Sequence, residues 1–209
     1  MKNNEIYVSI DIETDGPIPG PNSMLSIGNA AFNQAGDLVD TWEVNLQTLP
    51  NASPNVKTMT EFWDKNPEAW KACRFNCQPV MSAMEDYVKW LKGLEKQHNG
   101  KVVAVCAPSG FDFTFVYWYL MSFAGYSPFS FSCIDVKTYA SVILGLPYRK
   151  SGKRNFPKNW FDKKNKHTHV ALDDAIEQGY IFMKMREYHN RMIAEIKFLR
   201  DTGQLDGDL

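Results

Sequence analysis

The sequence has no uninterrupted apolar run of the roughly 20 residues that a bilayer-crossing helix needs, so no membrane span is expected. Its first residues, Met1-Lys2-Asn3-Asn4-Glu5, lack the apolar core of a secretory leader, which points to a cytoplasmic chain. Cysteine is scarce. Cys73, Cys77, Cys106 and Cys133 include no C-x-x-C pair, so reduced thiols are expected rather than a zinc site or a disulfide framework. There is no internal repeat and no linker. Nor is there an excess of one charge: the net charge of −1 names no partner by itself. What is present is an ordinary globular composition, 44% hydrophobic and 22% charged over 209 residues. That suits one domain with a substantial core, read as residues 1–202 followed by a polar tail at 203–209.

The chain is organised around Tyr7-Val8-Ser9-Ile10-Asp11-Ile12-Glu13-Thr14-Asp15-Gly16. Val8, Ile10 and Ile12 recur at period two, as on one face of a strand, and Asp11 and Glu13 share the other. Two carboxylates side by side repel unless a positive charge lies between them, and a divalent cation with hard oxygen ligands is the usual solution. A solvated surface pair is the competing reading, and the apolar flanks argue for a central strand instead.

Met24–Phe32 and Leu38–Asn45 read as further strands, separated by the turn Ala35-Gly36-Asp37, so the first three strands form an antiparallel meander. Residues 46–58 read as loop. A short helix is expected between Thr60 and Ala72, with Asn66 as a cap and Pro67 as a first residue. The three-four spacing from Pro79 to Leu94 predicts an amphipathic helix. Lys101–Ala107 predicts a buried strand and Phe113–Ala124 a buried helix. Phe131–Asp135 is a candidate strand, Val136–Leu144 a helix, 145–167 loop, and Leu172–Leu199 a long helix. The order predicts an α/β fold, a mixed five-stranded sheet with antiparallel first three strands flanked by helices.

Two further carboxylate positions draw attention. Asp112, in Gly110-Phe111-Asp112-Phe113, starts a helix after the fourth strand. It can cap that helix or bind a metal, and its apolar neighbours imply that it is buried with a partner. His169 precedes the last helix, with Asp173 and Asp174 in its first turn. This is either a capping cluster or an imidazole that titrates near neutral pH beside a metal-binding acid. Residues 148–167 hold eight Lys or Arg and one acid, a charge of +7, against −8 for the other 15 basic and 23 acidic residues. Tyr148, Phe156, Trp160 and Phe161 are interleaved with those charges. Basic groups can contact phosphates while rings stack on bases, so Lys153, Arg154 and Trp160 are candidate contacts to a polyanion. A solvated loop with its aromatics tucked into the core is the plainer alternative.

Taken in order, Asp11-x-Glu13, Asp112 in Gly-Phe-Asp-Phe, and His169-x-x-x-x-Asp174 resemble the DEDDh branch of the DnaQ-like 3′–5′ exonuclease superfamily, over about residues 5–185. The resemblance implies a ribonuclease-H-like fold and phosphodiester hydrolysis with two divalent cations, Mg²⁺ or Mn²⁺. It implies that Asp11, Glu13, Asp112 and Asp174 hold the metal and that His169 takes a proton from the attacking water. It also puts Thr14, Leu25 and Phe115 near the terminal nucleotide, although Leu25 and Phe115 are core by default. Many members carry His-Asn ahead of the second motif, where this chain has Ala107-Pro108-Ser109-Gly110. The implied partner is the 3′ end of nucleic acid; the resemblance does not choose between RNA and DNA, and the expectation is single-stranded ends with RNA slightly ahead of DNA, while a homodimer is open because some members dimerise. An aspartyl-nucleophile phosphatase and a catalytically inactive nucleic-acid-binding module compete. Glu13 stands where the first needs Asp, and clustered acids beside phosphates argue against the second.

Overall fold

Alternation along the first strand decides the layout of the molecule. The computed structural model describes residues 4–161 and 168–204. In chain order the strands and α-helices are β1 (Glu5–Thr14), β2 (Met24–Phe32), β3 (Leu38–Asn45), α1 (Val56–Glu61), α2 (Pro67–Cys73), α3 (Val80–His98), β4 (Lys101–Cys106), α4 (Asp112–Tyr119), β5 (Cys133–Asp135), α5 (Val136–Ile143) and α6 (Ala171–Asp201). The sheet runs β3-β2-β1-β4-β5. β2 is antiparallel to both β1 and β3, whereas β4 is parallel to β1 and to β5. This is the mixed five-stranded arrangement that the strand order predicts.

Ile6, Val8, Ile10 and Ile12 face one way, into a core with Met84, Tyr87 and Leu91 of α3 and Phe115, Val116 and Tyr119 of α4. Tyr7 faces the other way, into a core with Val136 and Ala140 of α5 and Ile181 and Phe182 of α6. Asp11 and Glu13 are therefore on the α6 face, and two glycines let α6 come close there. A Cβ on Gly28 would lie 2.2 Å from the backbone of Ala171 and Leu172, and one on Gly179 would lie 2.2 Å from the Phe32 ring. Gly28 pairs with Asp11 in the β1–β2 register, so the first turn of α6 rests beside the acid pair.

The structure departs from the sequence reading in three places. α1 starts inside the stretch read as loop, capped by the Asn55 side chain, which accepts the Thr58 N–H at 3.1 Å. The expected Thr60–Ala72 helix is broken by a 3₁₀ turn at Trp63–Lys65. Pro67 opens α2 as expected, but the Asn66 amide does not cap it, donating instead to the Phe62 carbonyl at 2.8 Å. The stretch after Gly145 holds three 3₁₀ turns, at Tyr148–Lys150, Lys153–Asn155 and Lys158–Trp160. Asp162, Lys163, Lys164, Lys166 and His167 of the basic segment, and the tail from 205, lie outside the described residues. Among the described residues no helix is long and apolar enough to cross a membrane.

Candidate active site

β1 and β4 run parallel, so their carboxyl ends open on the same edge of the sheet, where α/β sheets generally place ligands. Asp11 and Glu13 stand at that end of β1. The chain leaving β4 turns through Pro108-Ser109-Gly110 and enters α4, whose first residue is Asp112. Its N–H donates to the Pro108 carbonyl at 3.2 Å. Asp174 comes from the first turn of α6. Four carboxylates from three distant segments thus meet, and their electrostatics register the meeting. Burial holds the Asp11 carboxyl well above its ordinary range, and the neighbouring Asp112, Glu13 and Asp174 raise it further. Burial, then Asp174 and Asp112, push Glu13 up to about 8. Burial pushes Asp112 up to about 7, against backbone hydrogen bonds from Ala107 and its own N–H that favour the anion.

His169 belongs to the same cluster. A carboxylate oxygen from Glu13, one from Asp174 and a ring nitrogen of His169 all lie within 4.8 Å of one another. The Asp174 carboxylate accepts the Thr168 N–H at 3.0 Å and the His169 N–H at 3.1 Å, which ties the loop carrying the imidazole to α6. The imidazole meets the Phe62 ring edge to face, with centroids 5.1 Å apart. Phe62 packs on Trp63 at 4.9 Å, and the Trp63 indole N–H donates to the Thr14 carbonyl at 3.0 Å. The segment after α1 therefore bridges the end of β1 to the histidine.

One atom tests whether these residues suit a cation. Asp112 Oδ2 is buried and has no hydrogen-bond partner among the described residues. A buried carboxylate oxygen without a donor among the described residues, on a residue whose charge acts on Asp11 and Glu13, fits a hard divalent ion with oxygen ligands. Asp11, Glu13, Asp112 and Asp174 are the residues that could hold it. A cavity of about 570 Å³ passes His169 and runs between α2, β2, β3 and the start of α6. Its wall includes Ser26, whose buried hydroxyl also has no partner among the described residues.

The other candidates divide. Thr14 is buried, its hydroxyl donating to the Gly16 carbonyl at 2.9 Å. Leu25 and Phe115 are fully buried, the core positions they take by default. Trp160 corrects the sequence reading: only 3% exposed, it packs on Phe156 and on Tyr188 of α6, so its face is spent inside the protein and not open to a base. Lys153 is half-exposed, paired with Glu177 of α6, and close enough to Asp11 to lower its pKa. Arg154 is exposed. Residues the sequence reading missed include Phe62 and Gln178. Buried Gln178 donates to Ser9 Oγ and the Ile10 carbonyl at 3.1 Å and to the Val105 carbonyl at 3.3 Å, bracing β1 against β4 one residue before Asp11. A polar Gln on the buried stripe of a long helix was the available signal for it. Nothing local marked Phe62.

No family model matches the chain. A curated relative, the 3′-5′ DNA exonuclease Cap18 of Escherichia coli, is 27% identical over 190 residues, covering 85% of this chain and 90% of that protein. Among solved structures, the nuclease domain of 3′hExo, a DEDDh family member bound to rAMP, superposes with a TM-score of 0.67 at 12% identity, covering 89% of this chain and 94% of that one. The Mg²⁺- and Mn²⁺-bound form of S. pombe Pop2p gives 0.63 at 17% identity, covering 86% and 82%. E. coli Exonuclease I in complex with a dT13 oligonucleotide gives 0.59 at 11% identity, covering 95% and 44%. At such identities the structures establish the fold, which is the ribonuclease-H-like one implied by the motifs.

Proposed function

We propose that this chain, which has the ribonuclease-H-like fold and is similar to 3′-5′ exonucleases, removes nucleotides from the 3′ end of single-stranded nucleic acid in a metal-dependent reaction. The observation that carries this reading is the buried convergence of Asp11, Glu13, Asp112 and Asp174, with one Asp112 oxygen left without a donor among the described residues. The four acids would hold two divalent cations, Mg²⁺ or Mn²⁺. Bound there, such ions supply charge stabilisation to both the attacking and the leaving oxygen of an in-line displacement. His169, within reach of Glu13 and Asp174, takes the proton from the attacking water at a ring nitrogen. Phe62 limits the tilt of that ring. Lys153 and Arg154 contact the phosphates, and Thr14 lies beside the terminal nucleotide.

The sugar is the finer point. The motifs leave the sugar open and the expectation put RNA slightly ahead, whereas the 27% identical relative is a DNA exonuclease, which supports DNA as the first substrate to try. A homodimer stays part of the proposal and is read directly by light scattering. The deciding experiment is digestion of matched single- and double-stranded RNA and DNA, labelled at either end, with and without Mn²⁺. The reading expects stepwise shortening of 5′-labelled single strands, only with metal. Endonucleolytic fragments, or no cleavage of any of the four substrates, would overturn it.

A further inference from the structure

A second cavity, of about 420 Å³, lies toward the β4–β5 side of the sheet, whereas the first lies toward β2 and β3. It is bounded by the Ala107-Pro108 exit of β4, the start of α5, the middle of α6 and the turns of the basic segment. Its volume is in the range of small-ligand sites. Val136, Phe156 and Ile181 form an apolar wall, and Lys137, Tyr148 and Lys153 stand around it. Two of its residues join it to the acidic cluster. Gln178 lines the cavity and holds the Ile10 carbonyl, next to Asp11. Lys153 lines it too, and its charge acts on Asp11.

The chemistry of the lining selects an occupant. An apolar wall with cations around it suits a flat, uncharged ring attached to a phosphate. The segment from Tyr148 to Phe161 carries Arg149, Lys150, Lys153, Arg154 and Lys158 and no acid; Glu177 of α6 pairs with Lys153, and the excess of the other four cations still favours an anion along this edge. Lys137 lies over the half-exposed Tyr148 ring at 4.4 Å, which fixes a cation beside a face where rings can stack. The donors inside are already committed. The Gln178 amide serves three acceptors, and the Ser151 hydroxyl donates to the Pro147 carbonyl at 3.0 Å. A base seated here would be held by burial and stacking rather than read at its edge.

We propose that this cavity seats one of the two nucleotides immediately 5′ of the scissile phosphate, with its base against Val136, Phe156 and Ile181 and its phosphate toward Lys153 and Lys137. The inference rests on the nuclease reading above and adds a second point of grip that tolerates any base. It makes a strand longer than a dinucleotide the preferred substrate.

Gly152 offers a clean way to close the cavity. It lines the opening, a Cβ there meets nothing within 4 Å, and its φ of −97° admits any residue. The experiment is fluorescence anisotropy in Ca²⁺ with 5′-labelled single strands carrying one abasic site, moved stepwise from the 3′ end. The wild-type chain is expected to lose about tenfold in affinity when the abasic site is at one of those two positions. In Gly152→Trp the loss at that position should shrink to less than about twofold. A flat wild-type profile overturns the inference alone, as does a penalty that persists in a Gly152→Trp chain with unchanged circular dichroism. If that variant does not fold, Lys137→Glu should weaken binding of the intact strand several-fold, and unchanged affinity overturns the inference. Failure of the wild type to bind any strand overturns it together with the nuclease reading, which cleavage in Mn²⁺ by the same preparation checks separately.

Discussion

His169 occupies a backbone conformation that a side chain enters reluctantly, with φ at 57° in the left-handed region. Its cost is offset by the two N–H bonds that the Asp174 carboxylate accepts from Thr168 and His169. The histidine and the aspartate five residues later thus form one mechanical unit, in which the acid shapes the loop that aims the imidazole. Replacing His169 by Ala should lower turnover by about 10²–10⁴-fold, the range for losing a general base, while Mn²⁺ affinity changes little. Turnover rates and metal titrations on the two proteins check this. A large loss of metal affinity would make His169 a ligand instead of a base. The five motif residues were legible as candidates because each sits in a local pattern: period two for Asp11 and Glu13, a strand–turn–helix boundary for Asp112, a helix start for His169 and Asp174; each pattern alone also fits a surface pair or a helix cap, and only their order along the chain, through the family resemblance, singled out the set. Trp160 was misread for a matching reason. Its spacing among lysines describes its neighbours in sequence, whereas the direction of the ring is set by Tyr188, on a helix 28 residues away.

Among the elements, α6 matters most to the site, and its seat is a close approach to β2. The carbonyl and amide groups at Ala171–Leu172 lie where a Gly28 side chain would go. Gly28→Val should therefore force the first turn of α6 off the sheet and carry Asp174 and the His169 loop with it. The expected cost is about 1–3 kcal/mol of stability, as for other overpacked sites, with a larger proportional loss of activity. Urea unfolding and turnover measured together test this, and wild-type values for both would contradict the close packing. The strands β2 and β3 were readable to the residue because the Ala35-Gly36-Asp37 turn separates them and apolar residues recur along both. The segment from Val56 to Cys73 was not, since its break at Trp63–Lys65 serves a distant purpose: it delivers the Trp63 indole to the Thr14 carbonyl and Phe62 to His169. The glycine contacts that position α6 were equally hidden, because a glycine inside a strand carries no hint of what approaches it.

Over the whole molecule, acidic groups gather in one buried cluster and basic groups along one edge. That arrangement has a sign-definite consequence for stability. Without metal, Glu13 is pushed up to about 8 and Asp112 to about 7, above the values the unfolded chain would show. Between about pH 4.5 and pH 8 the folded protein therefore holds protons that the unfolded chain has released. Its stability is greater at the acid end of that window and falls as pH rises through it. Mn²⁺ competes for the deprotonated carboxylates, so the melting temperature gained on adding metal should be larger at pH 8 than at pH 6. Thermal unfolding with and without chelator over that window checks both slopes, and a metal-free protein that gains stability toward pH 8 would contradict the cluster's electrostatics.

The most direct test of the claim that these carboxylates converge on a metal is titration calorimetry of Mn²⁺ into the full chain and into Asp112→Asn, near pH 7 in buffers of different ionisation enthalpy. The wild type is expected to bind with release of protons, and the variant, whose neutral amide keeps the carboxylate's shape, with an affinity lower by on the order of 10–100-fold or more. Equal affinity in the two proteins, or no binding to the wild type, would contradict it.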